Sequence, residues 1–390
     1  MNINSPLSHL KILDLGRLLP NDYGTMLLAD LGADVLKIEE PGKGDYMRWM
    51  PPMFEGLGLL FLLSNRNKKS LTLDLRHKEG LNIFYQLLKD YDCVIESFRP
   101  DVKEKLEIGY ENLKRVNPKV IMVSFTGFGQ TGPTRNRPGH DLNYLGIAGC
   151  LAPLGSDSSP PTLPNLPIAD MTGGVFLAMS VMAAVIHRVF TGEGQAIDLS
   201  IMDCMVSFNL VNQANMIAKG IGQSAFPIYG QVPCYGIYRT RDGRYLTLGL
   251  IEEKFWQNFC RAILREDLSD KQYETGPMGD KVRKEIKEII EKKNLSEWLE
   301  ILENQDICYG PVLWPDEALK DSHSMARDLL VSLDFKGKNL PQANFPIKFS
   351  KSNITVQTPP PILGQHNNEV LTGLGYSIDE IEGLRKKGTI

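Results

Sequence analysis

Short apolar runs alternate with helix-periodic stretches through residues 1–125: LKILDLG, then a helix ending near Gly32, ADVLKIEE, SLTLDL, a helix, DCVIESF, a helix, and KVIMVSF. This rhythm predicts a parallel sheet with crossover helices. Right-handed crossovers place the helices on both faces, and ligands then gather at the C-terminal strand ends. From Thr126 to Pro138 the chain is rich in Gly, Pro, Thr, Asn and Arg and reads as a loop, with a short helix starting at His140 or Asp141. A proline-rich loop from Pro153 to Pro167 leads to a long apolar helix beginning near Asp170, the strand QAIDLSI, and a helix from Asp203 towards Lys219. Residues 220–232 read as a linker. CYGIYRTRDGRYLTLGL reads as a hairpin turning at Asp242-Gly243, with charged helices after it. The last stretch, with NFPIKFS and PPPILGQH, contains strand-like and Pro-rich segments. The expected fold is α/β: a large domain with a Rossmann-like parallel sheet (1–219), the linker, a smaller α+β domain (233–322), and a return to the large domain (323–390).

Composition narrows the function. The 390 residues are 42% apolar and 23% charged, ordinary for a globular protein of two domains. A formal net charge of -4 argues against a broad basic surface for nucleic acid. The longest apolar run, Val175 to Ile186, is too short to cross a bilayer. No secretory pattern opens the chain and its last residues, Lys387 to Ile390, are not a peroxisomal tripeptide, so the expectation is a soluble cytoplasmic protein without a membrane partner. The 6 cysteines include no Cys-x-x-Cys pair and no His-Glu-x-x-His string occurs, so reduced thiols and no metal site are expected.

Gly127 to Gly132 matches Gly-x-Gly-x-x-Gly after a predicted strand. Pro133 and Pro138 bracket the next residues, leaving no sustained helix to hold a dinucleotide pyrophosphate. A stronger signal is GHDLNY, Gly139 to Tyr144, with ADMTGG, Ala169 to Gly174, further along, each at a loop-to-helix junction. His140 can exchange a proton near neutral pH, and Asp170 near a helix start lies beside unpaired N–H groups. Taken singly, a helix-entry histidine and an N-cap aspartate are the ordinary readings.

LADLGADVLKIEEPGKGD, NRNKKSLTLDLR, GFGQTGP, GHDLNY, ADMTGG, TGEGQAIDLSIMD, CYGPV and FPIKFS resemble, in order through nearly the whole chain, the motifs of the family III CoA-transferases (CaiB/BaiF type), and GHDLNY is similar to the alpha-methylacyl-CoA racemases. In that branch the histidine and aspartate that match His140 and Asp170 are the two proton-transfer groups. The resemblance adds Glu252 as a supporting carboxylate approaching from the smaller domain. It assigns CoA binding to Thr72, Leu73, Asp74, Leu75, Phe98, Arg99 and Lys105 and to Gly139, Asp141, Leu142, Asn143 and Tyr144. It also implies an interlocked homodimer, the active site lying between the large domain of one subunit and the small domain of its partner. One position departs: racemases commonly carry Arg after the Lys-Ile-Glu run, where this chain has Glu40. A carboxylate cannot grip phosphate, which turns attention to Lys43, Arg48 or Arg66 for the nucleotide.

The chemistry implied is inversion of a 2-methyl centre of an acyl-CoA thioester. A base on one face, an acid on the other and donors to the enolate oxygen suffice, the last expected from the backbone N–H of Asp170 or its neighbours. No cofactor beyond the CoA of the substrate is required. The alternative is a CoA-transferase in which Asp170 carries the acyl group as an anhydride. Thr172 resembles the transferase form of its motif, whereas His140 stands where formyl-CoA transferases have Tyr. A catalytically silent CoA-binding protein would not need both His140 and Asp170.

Overall fold

The computed structural model describes residues 5–154, 160–222, 232–354 and 356–390. Most of the expected linker (223–231) and part of the proline-rich loop (155–159) lie outside the described residues. The chain forms two compact units, Met1–Asn212 with Ala326–Ile390, and Gln213–Met325.

The first unit holds strands β1 (Lys11–Leu15), β2 (Asp34–Glu39), a two-residue hairpin of β3 (Met53–Phe54) and β4 (Leu57–Gly58), then β5 (Lys69–Thr72), β6 (Cys93–Glu96), β7 (Ile121–Thr126) and β8 (Ala196–Ser200). Six of these form one parallel sheet in the order β5-β2-β1-β6-β7-β8. The chain winds outward in one direction from β1 and in the other from β6, so the topological switch lies between these neighbours. In such sheets the crevice beyond the carboxyl ends at the switch receives ligand. β6 and β7 are buried at every residue, as strands covered on both faces must be. The covering helices form from amphipathic spacing: in Lys78–Leu88 the buried positions are Gly80, Ile83, Phe84, Leu87 and Leu88, one face of a 3.6-residue period.

The apolar run Val175–Ile186 proves to be the middle of a 24-residue helix, Ile168–Thr191, which by length and composition could cross a bilayer, contrary to the expectation from the run alone. Its Leu177, Val181, Ala184 and Val185 pack with Ile12, Ile95 and Val123 of the sheet, as a core helix does. Gly192 ends it in the left-handed conformation, φ 78°. Its N-terminal half crosses the helix Leu18–Asp30 through two glycines. A Cβ on Gly24 would lie 2.7 Å from the Gly174 carbonyl oxygen, and one on Gly174 2.8 Å from that of Pro20. Only glycine lets the two backbones meet, and the contact brings the start of the long helix beside Leu18–Asn21.

In the second unit β9 (Tyr235–Arg239) and β10 (Tyr245–Gly249) form the expected antiparallel hairpin, with β11 (Tyr309–Pro311) added beside β10. Helices Glu253–Ala262, Gly276–Ile290 and Leu295–Leu302 close a core around Trp256, Phe259 and Trp298. Back in the first unit, NFPIKFS is not a strand; the strands there are β12 (Leu330–Phe335) and β13 (Lys338–Ala343) just before it, an antiparallel pair. Lys336 and Gly337 both take positive φ in the turn between them.

Candidate active site

Beyond β1, β6 and β7 lies a cavity of about 650 Å³ lined by Arg17, Leu18, Asn21, Tyr46, Phe98, Arg99, Thr126, Arg137, Gly139, His140, Asn143, Tyr144 and Asp170, among others. The loop after β7 supplies its arginine-bearing wall; it contains the Gly-x-Gly-x-x-Gly sequence and no helix begins before Asp141.

Two helix starts are clamped together here. His140 precedes the helix Asp141–Ile147, and its backbone N–H donates to Asn143 Oδ1 at 3.0 Å. Asp141 turns its carboxylate to the long helix: Oδ1 accepts the N–H groups of Ala169 (2.7 Å) and Asp170 (3.1 Å). The Tyr144 hydroxyl donates to the Gly139 carbonyl at 2.7 Å and its ring meets Phe128 edge-on at 5.3 Å, fixing the loop before His140. Asp170 is the third residue of its helix, which opens at Ile168 after Pro167, so it is not the N-cap. Burial, and then the charge of Asp141, push its carboxyl up to about 7, where it can both give and take a proton.

The expected enolate donors are otherwise engaged. The N–H groups of Ala169 and Asp170 are taken by Asp141, and that of Met171 by the Pro167 carbonyl. The reason is ordinary helix capping: exposed N–H groups at a helix start draw the nearest carboxylate.

A second cleft of about 220 Å³ adjoins, lined by Leu15, Arg17, Ile38, Glu40, Leu73, Asp74, Leu75, Arg76, Phe98, Val102 and Leu106. Thus Gly139, His140, Asn143, Tyr144, Arg99 and Asp170 share the large cavity, while Leu73, Asp74 and Leu75 share the small one and Phe98 borders both. Thr72, Lys105, Asp141 and Leu142 line neither. Thr72 is buried with its N–H and hydroxyl engaged by Asn367. Glu252 is exposed at the N-cap of Glu253–Ala262 in the second unit.

Arg48 and Arg66 are not free to hold a nucleotide. Arg48 is fully buried in a bidentate pair with Glu39 (2.8 and 2.7 Å) and stacks 3.8 Å from the Phe61 ring centroid; Arg66 is buried against Asp30 at 2.7 Å. Both carboxylates are interior, and an unpaired charge there would be costly. Lys43 is exposed and pairs with Glu40 at 3.0 Å.

Sequence reasoning missed the network beneath the cavity floor. Lys37 donates to Asp22 Oδ1 (2.6 Å) and the Gly16 carbonyl (2.9 Å) and lies 3.3 Å from Asp45. Lys68 donates to Asn65 Oδ1 (2.7 Å) and the Asp22 carbonyl (2.9 Å) and lies 3.7 Å from Asp14. Asn21 and Thr25 donate to the two oxygens of Asp14, and Asn65 to Asp22 Oδ2. Burial alone would lower the pKa of the Lys37 ammonium; the carboxylates of Asp22, Asp14 and Asp45 outweigh it and raise it, holding the charge. The sequence offers one hint, a lysine inside the apolar run VLKI; in the structure Lys37 is buried in a strand flanked on both sides in the sheet.

Residues 7–367 match the family model for CoA-transferase family III. The chain belongs to CoA-transferase family III. It is 32% identical over 398 residues to the succinyl-CoA:glutarate CoA-transferase of Mus musculus, covering 99% of this chain and 90% of the relative. It is 30% identical over 383 residues to the alpha-methylacyl-CoA racemase of Homo sapiens, covering 97% and 96%. The solved structure of a CAIB/BAIF family protein from Brucella suis matches with a TM-score of 0.81 at 29% identity, covering 95% of this chain and 100% of that one. Family III members are enzymes acting on acyl-CoA thioesters; the relatives are mostly named as CoA-transferases, with a racemase among them.

Proposed function

We propose that this family III protein is a racemase that inverts the 2-methyl centre of an acyl-CoA thioester. What carries the reading is His140 and Asp170 opening on one cavity, with Asp170 pushed up to about 7. Removing a weakly acidic α-proton and returning one to the opposite face requires two groups able to change protonation near neutral pH. One group takes the proton while the other delivers its own, and the enolate lives only between these transfers. No cofactor beyond the CoA of the substrate enters. Glu252 is assigned a supporting role on the family resemblance alone.

The test is incubation of a single enantiomer of a 2-methylacyl-CoA in deuterated buffer without an acceptor acid. Deuterium entering the α-position together with loss of optical purity is the expected result, abolished in His140→Ala and Asp170→Ala. An inert α-proton, with a new CoA ester only on adding a carboxylic acid, would instead establish transfer through an Asp170 acyl anhydride. That second reading draws support from the relatives named as CoA-transferases and from Thr172.

The protein is further proposed to act as a cytoplasmic homodimer. Val175, Met179, Ile186, Val189 and Phe190 leave apolar surface exposed along the helix Ile168–Thr191, a face that a second subunit would cover. Light scattering reporting a monomer at working concentration would refute the dimer.

A further inference from the structure

Arg17 lies just past β1, at the topological switch where the winding through β2 and β5 parts from that through β7 and β8. It borders both spaces: the large cavity with His140 and Asp170, and the small cleft walled by Leu73, Leu75 and Phe98. Its side chain is exposed, and its guanidinium makes no hydrogen bond or ion pair among the described residues. Glu40, whose carboxylate feels Arg17, already pairs with Lys43 (3.0 Å) and Arg76 (3.2 Å).

The backbone around this free guanidinium is fixed on every side. The Gly16 N–H donates to Asp14 Oδ1 at 3.0 Å, and the Gly16 carbonyl accepts from Lys37 at 2.9 Å. The Arg17 N–H donates to Ser97 Oγ at 2.9 Å, and the Leu18 N–H to Asp45 Oδ2 at 3.0 Å. Leu18 is held at φ 69°, a left-handed conformation that a leucine adopts only when its surroundings impose it. Asp45 and Lys37, which grip either side of Arg17, belong to the buried network below. A buried charge network that holds a strained backbone beneath one unpaired cation preorganises that cation for an anion.

We propose that Arg17 binds the diphosphate of CoA, standing between an adenine seated against Phe98 in the small cleft and the thioester beside Asp170. The inference rests on the acyl-CoA reading of the site and supplies the phosphate contact that Glu40 cannot make and that buried Arg48 and Arg66 are not free to make. Guanidinium is suited to the task, since its planar fork meets two phosphate oxygens at once. The same anion chemistry could come from a carboxylate on the acyl group, and the experiment separates the two sources.

Calorimetric titration of the full chain with CoA and with dephospho-CoA is the test, for the wild type, Arg17→Gln and Arg17→Lys. Loss of one charge-assisted contact should weaken both ligands by the same factor, roughly 10- to 100-fold, in Arg17→Gln, with partial recovery in Arg17→Lys. Weakening of CoA alone would place Arg17 at the 3′-phosphate and overturn the diphosphate assignment. Unchanged CoA affinity would overturn it as well, and a lost preference for glutaryl-CoA over butyryl-CoA in the same variant would assign Arg17 to an acyl carboxylate. A wild type that binds no CoA would overturn the acyl-CoA reading along with this one. Failure of the racemase reading is seen separately, as an inert α-proton in a wild type that still binds CoA.

Discussion

Asp22 and Asp170 lie in the same unit and both are withdrawn from water, yet their surroundings are opposites. Beneath the cavity each oxygen of Asp22 has a donor, Lys37 on one and Asn65 on the other, and Lys68 stands 3.9 Å away. Asp170 has no side-chain hydrogen bond or ion pair among the described residues, and its charged neighbour is another acid, Asp141. Burial raises the pKa of both carboxyls, but around Asp22 the charges of Lys37 and Lys68 oppose the rise, whereas around Asp170 the charge of Asp141 adds to it. The contrast separates a carboxyl tied by donors into the packing from one without them that opens on the cavity: the first holds the fold, and the second is placed to exchange its proton with a ligand.

Substitutions sharpen this contrast, beginning with the largest effect. Asp170→Ala should lower α-deuterium exchange by roughly 10²–10⁴-fold while the fold persists. The companion Asp170→Asn tests the sign of its proton equilibrium. Because the carboxyl is raised from 3.8 to about 7, the folded chain keeps a proton that the unfolded chain releases. Wild-type stability therefore falls as pH rises between those values and is flat above them, and Asp170→Asn should gain about 1–3 kcal/mol in urea unfolding at pH 8 and nothing at pH 3.

Lys37→Met should do the reverse, destabilising by about 3–5 kcal/mol because Asp22 and Asp45 would be left buried without their cation. If this variant unfolds at the wild-type urea midpoint, the network does not hold the fold. A threonine pair gives a finer version. Thr25 Oγ1 donates to Asp14 at 2.8 Å, whereas Thr126 Oγ1, at the cavity wall, is buried without a partner. Thr25→Val should cost about 1–2 kcal/mol and Thr126→Val less than about 0.5 kcal/mol by the same measurement.

The smallest effect belongs to Asp141→Asn. The amide oxygen can still accept from Ala169 and Asp170, but the negative charge is gone, so the limb of kcat/KM near pH 7 should move to lower pH without a large loss of rate. A limb that stays in place would show that burial alone sets the Asp170 equilibrium.

Much of the frame is legible in the sequence because its signals are local. KVIMVSF and DCVIESF announce buried strands, Asp242-Gly243 announces a hairpin, and GHDLNY and ADMTGG sit at helix starts as expected. The second hairpin is harder to see: its turn signal is Lys336-Gly337, and the more apolar NFPIKFS nearby draws attention although its residues find no strand partner. The charge network is not legible because Asp14, Asp22, Lys37, Asp45 and Lys68 look like ordinary polar breaks until the sheet brings them together. Arg17 is silent in the sequence for the same reason: its significance lies in Ser97, Lys37 and Asp45, none adjacent in the chain. The long helix is expected from the sequence, but its apolar run looks too short to span a bilayer because Ala, Gly and Thr at its start carry little apolar signal, although Asp170 rides on that first turn.

The crossing of Gly24 and Gly174 has a bearing on how this protein responds to heat and pressure. Side chains between helices act as springs, changing rotamer and spacing as conditions change. At this crossing backbone comes directly against backbone, flanked by the side chains of Leu177 and Tyr23, between the helix that carries Asp170 and the one that begins at Leu18 beside Arg17. The spacing of these two helices at their crossing is thus set largely by atomic radii, which neither warming nor compression alters appreciably, so adaptation to a larger or smaller acyl group is expected from exchanging wall residues rather than from shifting one helix against the other.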